Sequence, residues 1–198
     1  MQLHDLVDAV TGDEPPLART VDDIILAGRR AERRRRAGFA SAGAAGLVAV
    51  AVAGAFLLPA LAAELALAGR RIAVLAVHTL PPVGSDRAER RDAQLARTAA
   101  WVREQRAAGL VPVVVGDLNA SPFSAAFRGL LAAGLVDSQR GFGLQASWPV
   151  GHPVPPIAID HCLHDPALVT TARALGPALG SDHLPVRIDL AWSAGQVP

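Results

Sequence analysis

The 198 residues, half of them apolar, suffice for one domain with a sizeable core and an appendage. A net charge of +1 argues against a general nucleic-acid-coating surface, although local basic clusters remain compatible with it. The single cysteine, Cys162, excludes an intramolecular disulfide and a thiolate zinc site, and its place inside an apolar run makes it an expected core residue.

From Met1 to Glu32 acids mix with short apolar groups. Leu3, Leu6 and Val7 have helical spacing, Pro15-Pro16 breaks that segment, and Thr20 reads as the N-cap of a second one through Leu26. Arg29-Arg30 and Arg33 to Arg36 form a basic block. The stretch from Ala37 to Ala63 then runs for roughly 27 residues without a charge, against the ~20 that span a bilayer. A transmembrane helix is the favoured reading, with a buried soluble helix rich in Ala and Gly as its competitor. A secretory signal is disfavoured because the charged region lies far from Met1. The flanking arginines predict a cytoplasmic N-terminus and an extracytoplasmic C-terminal portion, in a single-pass cell-membrane protein. The expected division is a cytoplasmic tail over 1–36, the transmembrane helix over 37–63 and an α/β domain over 64–192.

Leu65 to Ala68 and Ile72 to Val77 read as strands around Gly69-Arg70-Arg71, the second ending in His78-Thr79-Leu80-Pro81-Pro82. Asp86 to Ala108 reads as a helix with Leu95, Ala99 and Val102 on one face and its arginines solvated; Gly109 ends it. The apolar run Val113-Val114-Val115 ends abruptly in Gly116-Asp117-Leu118-Asn119. A buried strand that delivers polar groups at its C-terminal end is how α/β proteins build sites, while an ordinary Asp/Asn turn is the competing reading. Ser121-Pro122 is expected to start a helix with Phe123, Phe127, Leu130 and Leu131 in the core. Gly141 to Pro156 is a Gly/Pro-rich loop. Strands are expected over Ile157 to Leu163, Ala167 to Leu175 and Leu184 to Leu190.

His78, Asp117 with Asn119, Asp160 with His161, and Asp182 with His183 therefore sit at strand ends or within apolar strands. Carboxylates in such places cost several kcal/mol unless paired or metal-bound, which favours one shared site. Asp, Asn and His without a cysteine cluster suit Mg²⁺ or Mn²⁺ and a phosphate-ester substrate.

Gly116-Asp117-Leu118-Asn119, Ile159-Asp160-His161 and Ser181-Asp182-His183, in this order after His78 and Pro81-Pro82, resemble the endonuclease/exonuclease/phosphatase superfamily over roughly Glu64 to Leu190. That superfamily includes DNase I-like nucleases, apurinic endonucleases, sphingomyelinases and inositol phosphatases. Trp148-Pro149 looks like its membrane-associated bacterial members. The resemblance implies the C-terminal half of a DNase I-like α/β sandwich and a metal-dependent phosphodiesterase or phosphatase. It implies that Asp117 orients or deprotonates the attacking water and that Asn119 holds water and phosphate. His183 would be the base or phosphate-contacting imidazole, with Asp160 fixing its tautomer. Asp182 would belong to the metal site, His78 would contact the scissile phosphate or assist the leaving group, and His161 would be structural. An outward-facing domain would meet no genomic DNA, which argues against apurinic repair. The family's early asparagine and metal-binding glutamate have no counterpart here, and Glu64 is not placed to replace the latter. Two readings follow: a membrane-anchored hydrolase, with another chain as a partner supplying the missing half, or a non-catalytic truncated or fused remnant.

Overall fold

The computed structural model describes residues 48–51, 60–67 and 69–194. The two expected N-terminal helical segments, the arginine block and much of the uncharged run lie outside the described residues. The elements are β1 (Val48–Ala51), β2 (Ala60–Leu67), β3 (Arg70–Val77), α1 (Ser85–Ala107), β4 (Val111–Asp117), α2 (Ala125–Ala132), β5 (Val136–Asp137), β6 (Asp160–His164), β7 (Leu168–Leu175) and β8 (Val186–Trp192).

Six strands form one sheet in the order β1-β2-β3-β4-β6-β5, and β7 and β8 form a second. The β3–β4 pair is parallel, with α1 as its crossover, and the other pairs are antiparallel. Alternation sorts the side chains. Ala73, Leu75, Val77, Val114 and Leu163 face one way and pack with Leu95, Ala99 and Val102 of α1 and Phe127 and Leu130 of α2. Ile72, Val111, Val113 and Cys162 face the other way and pack with Leu168 of β7, joined by Ile188, Leu190 and Trp192 of β8. The architecture is thus an α/β sandwich with helices on one face of the main sheet and a β-hairpin on the other.

The transmembrane expectation is corrected. β1 and the first half of β2 come from that uncharged run, and they pair antiparallel from Val48↔Leu65 to Ala51↔Ala62. Among the described residues no helix is long and apolar enough to cross a membrane. The physical reason is that an uncharged run fits paired strands as well as a helix, so apolar length alone does not separate the two. The main sheet accordingly includes strand residues upstream of Glu64.

Two smaller corrections concern α2 and β6. Ser124, not Ser121, caps α2, its side chain accepting from Phe127 N at 3.2 Å. Phe123 therefore precedes the helix and is 76% exposed, whereas Phe127 is buried as expected. Ile157 forms only an isolated bridge with Trp148, and the strand begins at Asp160.

Cys162 is buried, and loss of solvation pushes its thiol up to about 11. Against the ~8.5 of a free thiol, only about a thousandth is thiolate at pH 8. Iodoacetamide at pH 8 is expected to spare the folded chain and alkylate it in urea, as read by intact mass. Rapid alkylation of the folded protein would contradict this placement of β6.

Candidate active site

The site follows from strand register. Asp117 and Asp160 are cross-strand partners at the ends of β4 and β6, so their side chains emerge side by side on one face. In the parallel ladder Ala76 lies beside Val115, and Thr79 N donates to the Asp117 carbonyl at 3.0 Å, which brings His78 alongside Asp117. His78 Nε2 lies 3.6 Å from Asp117 Oδ2, and its side chain is 69% exposed. His183 enters from the connection between β7 and β8. Its Nδ1 bonds Asp160 Oδ2 at 2.8 Å, and its Nε2 lies 3.9 Å from Asp117 Oδ2.

The two carboxylates differ in support. Burial works against the Asp160 carboxylate, but hydrogen bonds from His183 and Ser147 outweigh it and hold Asp160 below the ordinary carboxylate range. The Ser147 Oγ–H donates to Asp160 Oδ2 at 2.5 Å. Asp117 is pushed up, first by burial and then by the Asp160 charge, with the Asn119 N–H and the two histidines offsetting only part. Burial disfavours the charged His183 ring, yet the Asp160 hydrogen bond and the surrounding carboxylates raise it overall.

Asn119 has φ 44, and this left-handed turn folds it back onto its neighbours. Its N–H donates to Asp117 Oδ1 at 2.7 Å; its Nδ2 donates to the Thr79 carbonyl at 2.8 Å and to Asp117 Oδ2 at 3.2 Å. The amide thus orients Asp117 and ties the ends of β3 and β4. Gly116 is required one residue earlier. Its φ is 129, and a Cβ there would lie 2.0 Å from the Val77 carbonyl oxygen.

Asp182 stands apart from the closest group. Its Oδ2 accepts from Trp148 Nε1 at 2.8 Å, and its Oδ1 lies 4.0 Å from His183 Nε2. His161 is buried, packs on Phe127 and has Nε2 2.9 Å from the Ala120 carbonyl. That carbonyl only accepts, so Nε2 carries the proton, and the ring ties β6 to the segment after Asn119.

Asp117, Asp160 and His183 offer ligand atoms within 4.8 Å of one another. Two adjacent carboxylates whose nearby cationic groups are histidines, with the Asp182 oxygen close by, fit a hard divalent cation. Among the described residues no glutamate joins the group. Glu64 instead bonds Arg71 across the β2–β3 hairpin.

A family model for the endonuclease/exonuclease/phosphatase family matches residues 12–183. The chain belongs to that family. The match begins well upstream of the motif-bearing region that the sequence singled out. Among solved structures, the human Nocturnin catalytic domain with bound sulfate is 18% identical with TM-score 0.57, covering 76% of this chain and 59% of that one. The Neisseria 3′ phosphatase bound to a product DNA hairpin is 19% identical with TM-score 0.56, covering 73% and 70%. A Bacteroides thetaiotaomicron mannosyl-6-phosphatase is 16% identical with TM-score 0.51, covering 67% and 57%. At these identities the likeness establishes the fold, and this family member spans little more than half the length of two of the three. A comparison with curated proteins finds no match.

Ser147 escaped the sequence reading, and Trp148 was noted there without a contact to Asp182, because a Gly/Pro-rich loop hides which of its side chains turn inward. Two outcomes are expected here. Gly116→Ala costs about 3 kcal/mol by urea unfolding, since both the left-handed φ and the Val77 carbonyl oppose a Cβ; a variant of unchanged midpoint would contradict the close approach. In metal-free protein the His183 ring titrates above the ordinary imidazole value, and Asp160→Asn lowers it. Because the folded value exceeds the unfolded one, the pair's contribution to stability is complete below the ordinary imidazole pKa and fades as pH rises through the raised one. Ring C–H NMR titration checks this, and an unchanged midpoint in Asp160→Asn would count against the pair.

Proposed function

We propose that this family member hydrolyses phosphoric esters in a Mg²⁺- or Mn²⁺-dependent reaction. The Asp160–His183 pair, aimed at Asp117 across 3.9 Å, is the observation that carries the reading. Asp160 accepts only, so it holds the proton on His183 Nδ1 and leaves Nε2 to take or give one at the reaction centre. Asp117, the carboxylate pushed upward, orients the attacking water and draws its proton. Asn119 keeps Asp117 in that pose. His78, exposed at the rim, contacts the phosphate or protonates the leaving oxygen. The carboxylates of Asp117 and Asp160, which converge with His183, would hold the metal, with Asp182 Oδ1, 4.0 Å from His183 Nε2, as a further oxygen. Bound there, it would supply positive charge to the phosphoryl oxygens.

The three solved structures named above include two phosphatases by their titles, and the family name itself is one of phosphoric ester chemistry. A non-catalytic remnant is favoured by one observation: no glutamate among the described residues joins the carboxylate group.

Hydrolysis of bis-p-nitrophenyl phosphate and p-nitrophenyl phosphate by the full chain, with Mn²⁺ or Mg²⁺, separates the two. Turnover abolished by EDTA and lowered at least about a hundredfold by His183→Ala and by Asp117→Ala is the expected result. Folded protein with no turnover above those variants would leave the remnant.

A further inference from the structure

Helix α1 carries most of its arginines outward, yet Arg91 turns toward the site, and its side chain is only 12% exposed. Its Nη1 donates to the carbonyl of Asn119, and its Nε to Asp92 Oδ1 at 2.6 Å. Three residues on, Gln94 is buried, and its Oε1 accepts from Leu80 N at 2.9 Å. Residues three apart share a helix face, so one face of α1 grips both polypeptide segments that leave the site. Asn119 Nδ2 in turn donates to the Thr79 carbonyl, next to Leu80. The contacts close a circuit: Gln94 to Leu80, Thr79 to Asn119, and Asn119 to Arg91.

We propose that Arg91 and Gln94 are positioning residues that set the separation of His78 from Asp117 and Asn119, each clamping one of the two strand ends on the helix that joins them. Regular β3–β4 pairing stops at Ala76↔Val115, short of all three site residues. Past that point, Thr79 N on the Asp117 carbonyl and the Asn119 amide on Thr79 link the two segments directly. Those two bonds fix the segments to each other, and the helix clamps fix both to the core. A purely packing role would be met more cheaply by apolar side chains, since a largely buried arginine and glutamine must each have partners. Apart from Asp92 beside Arg91, the partners they have are backbone groups at the site.

This inference rests on the hydrolase reading for its kinetic arm and not for its spectroscopic one. The full chain is compared as wild type, Gln94→Met, Gln94→Glu, Arg91→Met and Arg91→Lys. In ring C–H and side-chain amide NMR spectra, Gln94→Met is expected to move the His78 signals and Arg91→Met the Asn119 Nδ2 signals. Gln94→Glu keeps an acceptor oxygen and restores the His78 signals, and Arg91→Lys, which keeps a donor, restores part of the Asn119 shift. In turnover, both methionine variants lose about tenfold to a hundredfold in kcat with little change in KM, the signature of misplaced groups rather than lost binding. Should a methionine variant not fold, Gln94→Asn and Arg91→Gln, polar but shorter, carry the same readouts. Unmoved His78 and Asn119 signals, or full kcat in folded variants, overturn the proposal. If the wild type shows no turnover, the hydrolase reading falls alone, and the NMR shifts decide whether the clamp exists.

Discussion

Among the described residues, two backbones approach each other at one point more closely than side chains would allow, where Gly116 of β4 passes the Val77 carbonyl of β3. That contact belongs to the main sheet's parallel pair, and parallel pairing delivers two C-terminal strand ends to the same edge. His78 and Asp117 become neighbours for that reason, although many residues and a helix separate them in sequence. Antiparallel pairing of β6 onto β4 then sets Asp160 directly opposite Asp117. Three strands thus present polar groups on one face without any of those groups having to cross the core. The glycine also lets the chain turn sharply into Asn119, whose left-handed backbone folds its amide over Asp117.

The consequence of such placement is electrostatic crowding. Like charges directly opposite on a sheet repel, and here both carboxylates are partly withdrawn from water. The structure answers with imidazoles in place of arginines: His183 between the acids and His78 at the rim. Buried Arg173 approaches from β7 behind the site, donating to Ser138 Oγ at 2.9 Å and lying 3.4 Å from the Asp160 carbonyl. Its charge does not bond the Asp117 or Asp160 carboxylate oxygens, so they stay available to a ligand. A site meant only to stabilise the fold would pair an acid with a nearby guanidinium, as Arg106 pairs with Asp165 at 2.9 Å elsewhere.

The strand-end logic was legible in the sequence because it depends on a local contrast, an apolar run broken by Gly-Asp-Leu-Asn. The structure brings Asp117, Asp160, His183 and His78 together at those strand ends and places His161 in the core against Phe127. The stretch from Ala37 to Ala63 misled for an equally local reason: its lack of charge does not say whether its residues pair as strands or coil as a helix. Strand β1 acquires its identity from pairing with β2, a tertiary fact. Arg91 shows the opposite failure. It lies four residues before Leu95 and three before Gln94, on the same stripe as buried Thr98 and Val102. Helical periodicity alone would have placed it inward, but its charge led the whole arginine-rich face to be read as solvated. Phe123 erred in the converse way, since an aromatic residue next to a helix start is core only if the cap falls before it.

The opposed shifts of Asp117 and Asp160 decide how the work is divided between them. The two share a register position and a face, so their difference comes from their hydrogen-bond partners. Asp160 Oδ2 receives the Ser147 hydroxyl and His183 Nδ1, which makes the ionised form the cheaper one. Asp117 receives bonds from the single residue Asn119, too few to offset its burial beside another negative charge. Environments that drive two neighbouring acids apart separate a permanently charged partner from a group able to accept a proton. On the proposed reading, Asp160 would act through His183 without meeting the substrate, and Asp117 would stand where a water and a phosphate meet. Ser147 thus acts on the pair from one layer behind it: removing its hydroxyl would take away one of the two hydrogen bonds that hold Asp160 ionised and narrow the gap between the two acids.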